Sequence, residues 1–262
     1  MIELPYEIQN IIRDADFQMD GIGMSGSKIY LFSEQVLKIQ EDNEEARNEY
    51  DIMGWLKGKL PVPEVISYVC EGGKSYLLMT KVMGKMACDN EYMRHPERLI
   101  GLLAEALKFL WKVDINDCPC KWGIDRKLEM ARYWVEHGMV SMENVEPDTY
   151  GENGFRSPRE LYQWLVEHKP QEDWVLTHGD FTLPNLFYQG EELKGYIDLG
   201  RMGVGDKWQD IALCYRSLLH NFSGKYGGRK YEDFSSDLLF QKLGLEPDWE
   251  KIRYYILLDE LF

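Results

Sequence analysis

Between His178 and Arg201 the chain reads HGDFTLPNLFYQGEELKGYIDLGR, and three oxygen-bearing side chains in it make chemical sense as a set. Asp180 stands in His178-Gly179-Asp180, Asn185 follows five positions later, and Asp198 closes the apolar run Gly195-Tyr196-Ile197. Taken singly, an Asp or Asn in such a stretch is a turn former or a helix cap. Together they are the oxygens that phosphoryl transfer requires. One carboxylate orients an attacking hydroxyl or accepts its proton, while a carboxylate and an amide oxygen hold magnesium ions that bridge nucleotide phosphates. Asp180 suits the first task, and Asn185 with Asp198 the second. The spacing predicts a loop and then a β-hairpin, with Leu186-Phe187-Tyr188 paired to Tyr196-Ile197 across the turn 189–192, which returns Asp198 beside Asn185.

An H-x-D followed by Asn, then a hairpin ending in D-x-G, is similar to the catalytic and metal loops of protein kinases. Two positions depart from that pattern: Gly179 stands where kinases have Arg, and Leu199 where they have Phe. Without the Arg there is no pocket for a phosphorylated activation loop. The chain also runs almost at once from Asp198 into Asp206-Lys207-Trp208-Gln209-Asp210, leaving no length for a peptide-binding segment. The expectation is a kinase of small molecules.

Such a triad needs a partner region that grips the nucleotide. Gly21-Ile22-Gly23-Met24-Ser25-Gly26 is formally a G-x-G-x-x-G, a weak signal alone because the same spacing opens Rossmann helices. The next residues, Lys28-Ile29-Tyr30-Leu31-Phe32, are strand-like, so the glycines are expected to join two antiparallel strands and cover phosphates with backbone N–H groups, with Ser25, Gly26 and Ser27 at the tip. In the following strand, Gln35-Val36-Leu37-Lys38-Ile39, the lysine either points to solvent or reaches across a cleft. After a phosphate loop the second choice is expected, with Lys38 on the α- and β-phosphates. A helix from about Asn43 to Lys57 should pack through Tyr50, Met53, Trp55 and Leu56. It offers Glu44, Glu45 and Glu49; Glu49, near its centre and one turn before Met53, is the expected partner of Lys38, and the other two are expected to face water.

Pro61-Val62-Pro63 ends that helix and opens strand Val65–Val69. After a glycine turn, Ser75 to Thr80 forms the fifth strand. Residues 79–84 then read as a hinge, where backbone groups can meet an adenine edge or simply leave the strand. This divides the chain into a small nucleotide-binding lobe, 1–80, and a mainly helical catalytic and substrate-binding lobe, 81–262. In the latter, Leu99, Leu102, Leu103, Ala106, Leu107 and Leu110 mark one buried helix, Asp125 to His137 a second, and Ser157-Pro158-Arg159-Glu160 caps a third. Helices are also expected over 206–219 and 249–262, with Phe222 to Lys230 as a loop.

Composition limits the alternatives. With 262 residues, 44% of them hydrophobic, the chain can bury a core, so disorder is excluded. The start lacks an export signal and no apolar run could span a bilayer, so a cytosolic protein without a membrane partner is expected. Five scattered cysteines include no pair of metal or redox spacing, which points to reduced thiols. Thirty basic against forty-five acidic residues leave a net charge of −15, which repels nucleic acid. The acidity is either plain surface solvation or attraction for a polycationic substrate.

With those segments in view, the chain resembles the aminoglycoside 3′-phosphotransferases over nearly its whole length. The resemblance rests on Gly58-Lys59-Leu60-Pro61-Val62-Pro63, Pro158-Arg159-Glu160-Leu161-Tyr162, His178-Gly179-Asp180, Ile197-Asp198-Leu199-Gly200-Arg201, Asp206-Lys207-Trp208, and Asp248-Trp249-Glu250-Lys251-Ile252 with Leu258-Asp259-Glu260-Leu261-Phe262. It implies an α+β, protein-kinase-like fold of two lobes that transfers the γ-phosphate of ATP or GTP, with Mg2+, to an antibiotic hydroxyl. Asp180 would be the catalytic base, Asn185 and Asp198 the metal ligands, and Lys38 with Glu49 the phosphate-positioning pair. Ser25, Gly26 and Ser27 would cover the phosphates, and Thr80 and Val82, behind Met79, would meet adenine. The aminoglycoside would meet Glu143, Asn144, Glu146, Asp180, Arg201, Asp259, Glu260 and the terminal carboxylate of Phe262. His-Gly-Asp with D-x-G alone also suits kinases of other small alcohols, such as choline or macrolide kinases, and a catalytically dead nucleotide-binding module is the alternative outside enzymes. One segment departs: where the resemblance implies acidic residues, 221–230 carries Lys225, Arg229 and Lys230.

Overall fold

The structure, a computed structural model, describes residues 4–13, 15–19, 27–143, 145–152, 154–226, 228–231 and 234–262. The glycine loop 21–26, with Ser25 and Gly26, and also Asn144, lie outside the described residues. The chain forms two compact units: Met1–Ala87 with Pro184–Met202, and Cys88–Leu183 with Gly203–Phe262.

In the first unit, helix α1 (Tyr6–Ile12) precedes strands β1 (Gln18–Met19), β2 (Lys28–Leu31) and β3 (Gln35–Glu41), helix α2 (Glu44–Leu56), and strands β4 (Val65–Glu71) and β5 (Lys74–Thr80). The five strands make one antiparallel sheet in the order β1-β2-β3-β5-β4. Strand alternation gives β3 two different faces. Leu37 and Ile39 enter a core with Ile8 of α1, Tyr30, Phe32 and Leu78, whereas Lys38 lies opposite Ile29 and Leu77 on the other face. Asn43 caps α2 by accepting a hydrogen bond from Ala46 N–H at 2.9 Å.

The buried side of α2 is Ala46, Asn48, Glu49, Ile52, Met53 and Leu56. Tyr50 is therefore not a core position as the periodicity suggested; it is 40% exposed and stacks on Tyr68 with ring centroids 4.5 Å apart. The helix turns 100° per residue, and a stripe that includes Glu49 and Met53 carries Tyr50 off the buried face.

A second sheet of this unit has the order β6-β8-β9, formed by β6 (Lys85–Met86), β8 (Leu186–Gln189) and β9 (Glu192–Tyr196). Its β8–β9 hairpin has the expected register, Leu186 opposite Tyr196 and Gln189 opposite Glu192. Gly195 permits close packing: a Cβ there would lie 2.8 Å from Val82 Cγ1.

The second unit holds α3 (Asn90–Met93), α4 (Pro96–Trp111), α5 (Ile124–Glu136), α6 (Pro158–Glu167), the antiparallel pair β7 (Trp174–Thr177) and β10 (Gly203–Asp206), then α7 (Lys207–Ser223), α8 (Leu238–Leu243) and α9 (Trp249–Asp259). Leu99, Leu103, Ala106, Leu107 and Leu110 of α4 are buried as expected, and Leu102 is half-buried.

Helix α7 runs one turn beyond the expected 219. Phe222 is buried and stacks on Phe234 at 4.0 Å, and the helix closes at Gly224, whose left-handed φ of 75° lets Lys225 N–H reach His220 O at 3.0 Å. Phe222 was expected to open a loop, but its ring has a core to enter. Helix α9 ends at Asp259 rather than at the last residue. All five cysteines are free thiols, and among the described residues no helix is long and apolar enough to cross a membrane.

Candidate active site

Charged side chains gather in one group in each unit. In the first unit, Lys38 Nζ lies 2.8 Å from Glu49 Oε2 and 2.7 Å from Asp198 Oδ1, a residue 160 positions away in sequence. Lys38 and Glu49 are buried. Burial works against the lysine's charge, but the carboxylates of Glu49 and Asp198 outweigh it and hold the pKa above the usual lysine value. Burial in turn pushes the Glu49 carboxyl up, against the pull of Lys38. The second Glu49 oxygen accepts Leu199 N–H at 3.2 Å, so this carboxylate holds both the lysine and the backbone just past Asp198.

Three residues of one α2 face hold the segment 199–202. Besides Glu49, Asn48 donates from Nδ2 to Gly200 O and Met202 O, each at 2.9 Å, and Glu45 accepts from Arg201 Nε at 2.9 Å. Glu45 is thus engaged rather than simply facing water, and Asn48 was not singled out from sequence. Glu45 lies one helical turn before Asn48 and Glu49, a spacing that groups the three without naming their partners.

Ile197 N–H donates to Asn185 O at 3.0 Å, so the hairpin does bring the ends carrying Asn185 and Asp198 together. Asp198 has a positive φ of 60°, a conformation that costs a non-glycine residue on the order of 1 kcal/mol and that Asp tolerates better than most. An amide oxygen and a carboxylate are hard donors of the kind magnesium takes when it keeps several waters and leans on phosphate oxygens. The residues present therefore fit that ion.

The other residues expected to meet the nucleotide, where described, are also in this unit. Ser27 donates from Oγ to Gln40 Oε1 at 3.0 Å. Met79 is buried at the end of β5 opposite Val36, on the face that carries Lys38. Thr80 Oγ1 accepts Glu64 N–H at 2.8 Å, and Val82 is half-buried against Gly195.

In the second unit, strand β7 delivers His178, Gly179 and Asp180. The buried carboxylate of Asp210 accepts His178 N–H at 2.6 Å and Gly179 N–H at 2.9 Å, while Gln209 Nε2 donates to Gly179 O at 2.8 Å. Burial pushes the Asp210 carboxyl up, and His178 with the two N–H groups opposes this. Gly179 has φ 85°, which explains the missing Arg: a side chain is disfavoured in that conformation. Asp180, half-buried, follows from a turn gripped at both peptide groups. Asp210 and Gln209 were visible in sequence only as part of a helix start.

The same unit carries the implied substrate residues. Glu146 Oε1 lies 2.7 Å from His220 Nε2 and 3.3 Å from Lys225 Nζ, and Glu146 N–H donates to Glu260 Oε1 at 3.2 Å. His220 Nδ1 is 3.0 Å from the Tyr226 hydroxyl, an arrangement that fits donation from Nε2 to Glu146 and acceptance at Nδ1 from Tyr226. Arg216 pairs with Asp259 and lies 3.7 Å from Glu260. Burial lowers the Arg216 pKa, but Asp259 and Glu260 raise it further, so its charge is fixed. The hydrogen bond from His220 holds Glu146 at about 2 despite partial burial, whereas burial pushes Glu260 up to about 7. Glu143 is exposed, and the Phe262 ring meets Trp134 edge-on at 6.1 Å. Arg201 belongs to the first unit, with Glu45. Arg216 and His220 were missed, and Lys225 was noted only as a departure from an acidic pattern; the spacing of the three opposite Glu146, Asp259 and Glu260 shows only once α7 is seen to extend.

The pattern of the phosphotransferase enzyme family matches residues 23–255. An aminoglycoside 3′-phosphotransferase of Enterococcus faecalis is 39% identical over 98% of this chain and 97% of its own length, and one of Staphylococcus aureus is 38% identical over the same shares. Among solved structures, an aminoglycoside 3′-phosphotransferase of type VIII superposes with a TM-score of 0.82 at 23% identity, covering 98% of this chain and 97% of that one. An aminoglycoside phosphotransferase from Streptomyces rimosus, at 22% identity, also gives 0.82 over 97% and 95%. The small antiparallel sheet, the helical second unit and these likenesses agree on a two-lobe, kinase-like α+β fold, and the chain belongs to the phosphotransferase enzyme family, in its aminoglycoside 3′-phosphotransferase branch.

Proposed function

We propose that this enzyme transfers the γ-phosphate of ATP, or of another nucleoside triphosphate, to the 3′-hydroxyl of aminoglycoside antibiotics in the cytosol and so confers resistance to them. Supporting this for the nucleotide end is the convergence of Lys38 on Glu49 and Asp198 from distant parts of the sequence. For the acceptor it is the identity to aminoglycoside 3′-phosphotransferases over nearly whole chains.

In functional terms residues 1–80 serve as the nucleotide lobe, residues 81–262 as the catalytic and substrate lobe, and residues 79–84 as the hinge. Lys38, kept charged by two carboxylates, binds the α- and β-phosphates; Glu49 fixes its position. Ser25, Gly26 and Ser27 cover the phosphates, and Met79, Thr80 and Val82 take the adenine. Asn185 and Asp198 would hold Mg2+, which would supply positive charge to offset the negative charge that develops on the transferring phosphate. Asp180 orients the 3′-hydroxyl and takes its proton as oxygen attacks phosphorus, a contribution of about 10²- to 10⁴-fold. Asp210 and Gln209 hold its loop still.

The acceptor is a polycation, and carboxylates are what it needs. Glu143, Asn144, Glu146, Asp259, Glu260 and the terminal carboxylate of Phe262 provide the binding groups, with Arg201 ordering Glu45 and the backbone past Asp198. Nucleotide turnover should be measured with kanamycin, with its 3′-deoxy analogue, and with choline. Turnover with the first and a large loss with the second is expected. Choline-only turnover would assign the enzyme to another small alcohol, and no turnover with any would leave a nucleotide-binding module.

A further inference from the structure

The carboxylates of the second unit are already met by cations of the same chain, and these differ in how firmly they are held. Arg216, on the body of α7, is buried between Asp259 and Glu260. Lys225 is different. It follows the Gly224 cap, on the turn that ends α7, and its ammonium group approaches Glu146 at 3.3 Å from a long, partly exposed side chain. His220 lies between them, 3.1 Å from Lys225 Nζ and 2.7 Å from Glu146. Glu146 is one of the carboxylates that would receive a substrate ammonium group.

We propose that Lys225 is a specificity-determining residue: an internal ammonium that occupies Glu146 in the free enzyme, so that an aminoglycoside places a charged amine there only by displacing it. This inference rests on the aminoglycoside kinase reading of the site. Two cations cannot share one carboxylate oxygen without repelling each other, and at a partly exposed site the balance between a tethered ammonium and an incoming one is small enough to tune. Arg216 is too deeply paired to move, and His220 holds Glu146 in place from the α7 side. Lys225 is the cation whose stem, turn and exposure allow it to swing out. Aminoglycosides that lack an amine at this point bind without competition; those with one are penalised. The departure of residues 221–230 from an acidic pattern thereby becomes a narrowing of substrate range with the phosphate chemistry unchanged.

The test compares Lys225→Ala and Lys225→Arg with the native enzyme. Kinetics with kanamycin and ATP are measured alongside calorimetric binding of kanamycin in the absence of nucleotide. Loss of the competing charge should lower both KM and Kd for kanamycin on the order of 3- to 10-fold. The kcat and the KM for ATP should stay within about twofold, since Lys225, among the described residues, meets Glu146 and His220 of its own unit. Lys225→Arg keeps the charge and should behave as the native enzyme. A steeper fall of kanamycin affinity with salt in Lys225→Ala would be a second mark of an unmasked carboxylate. Unchanged or weaker kanamycin binding by a folded Lys225→Ala overturns the proposal, because Lys225 would then be neutral or helpful to the substrate. If kanamycin binds more tightly to Lys225→Ala but neither protein phosphorylates it, the masking role stands and the assigned reaction falls. If kanamycin binds to neither, both fall.

Discussion

The Lys38–Glu49 pair of the first unit and the Lys225–Glu146 pair of the second join the same two residue types but differ in their distance from water. Lys38 and Glu49 side chains are 7% and 1% exposed, whereas Glu146 and Lys225 are 22% and 31% exposed. A buried pair cannot be rearranged cheaply, because separating its members strands a charge in a medium that solvates it poorly. A partly exposed pair can exchange partners with water or with a ligand's amines at lower cost. The nucleotide presents the same phosphates at every turnover, so rigid charges suit it. The acceptor side must bind and release polycations of varied shape, and labile charges suit that. In the proposed roles, the burial of these two pairs, more than the residue types that form them, separates positioning from recognition.

Replacing Lys38 should do most to erase that contrast. Lys38→Met leaves Glu49 buried without its cation, and a loss of stability of about 3–5 kcal/mol is expected, readable as a lower urea midpoint. Nucleotide turnover should disappear with it. The matching change on the other side, in Lys225, should leave the stability within about 0.5 kcal/mol of native, as for most surface positions. A similar loss of stability in both variants would remove the distinction drawn from burial.

Next in size is the turn that presents Asp180. Gly179→Ala puts a side chain at φ 85°, at a cost of about 1–2 kcal/mol, and should loosen the turn held by Asp210 and Gln209. A fall in kcat of about tenfold or more with the nucleotide KM little changed is expected; an unaltered kcat would mean that the turn tolerates a left-handed alanine.

The pH dependence of the substrate side should show a smaller effect. Glu260, raised by burial to about 7 from an ordinary 4.5, binds a proton in the folded protein over a range where the unfolded chain has lost it. Its contribution to stability therefore falls as pH rises from about 4.5 through 7. Over the upper part of that window a new carboxylate appears beside Arg216, Asp259, Glu146 and Tyr150. The KM for kanamycin should accordingly drop between about pH 6 and 7.5, and Glu260→Gln should flatten the profile. Glu146, held at about 2 by its hydrogen bond from His220, stays ionised throughout and should add nothing to that profile. Least of all, raising salt from about 0.05 to 0.5 M should raise the KM for kanamycin a few-fold.

Much of the nucleotide side was legible in the sequence because it is built from local signals. A lysine on an apolar strand, a glutamate at the centre of the next helix and a hairpin whose length sets its register each constrain a neighbour by period or turn geometry. The helix contacts of Asn48 and Glu45 were not legible, since a polar residue on a helix looks alike whether it meets water or a distant carbonyl. Less of the charged cluster in the second unit was legible. The extent of α7 depended on Phe222 stacking on Phe234, twelve positions later, which no local pattern reports, and the row Arg216, His220 and Lys225 follows from that extent. Gly179 shows the reverse case: it was noticed as a departure, and the backbone supplies its reason.

The assigned reaction is tested most directly by phosphorus NMR of kanamycin incubated with Mg-ATP and either the native enzyme or Asp180→Ala, with unfolding curves recorded for both. The native enzyme should yield one phosphate ester whose phosphorus couples to the 3′ proton, and Asp180→Ala, equally stable, should form it at least about a hundredfold more slowly. An ester formed at the native rate by Asp180→Ala would contradict the role of that carboxylate as the base, and a phosphate at another position would contradict the 3′-hydroxyl as the acceptor.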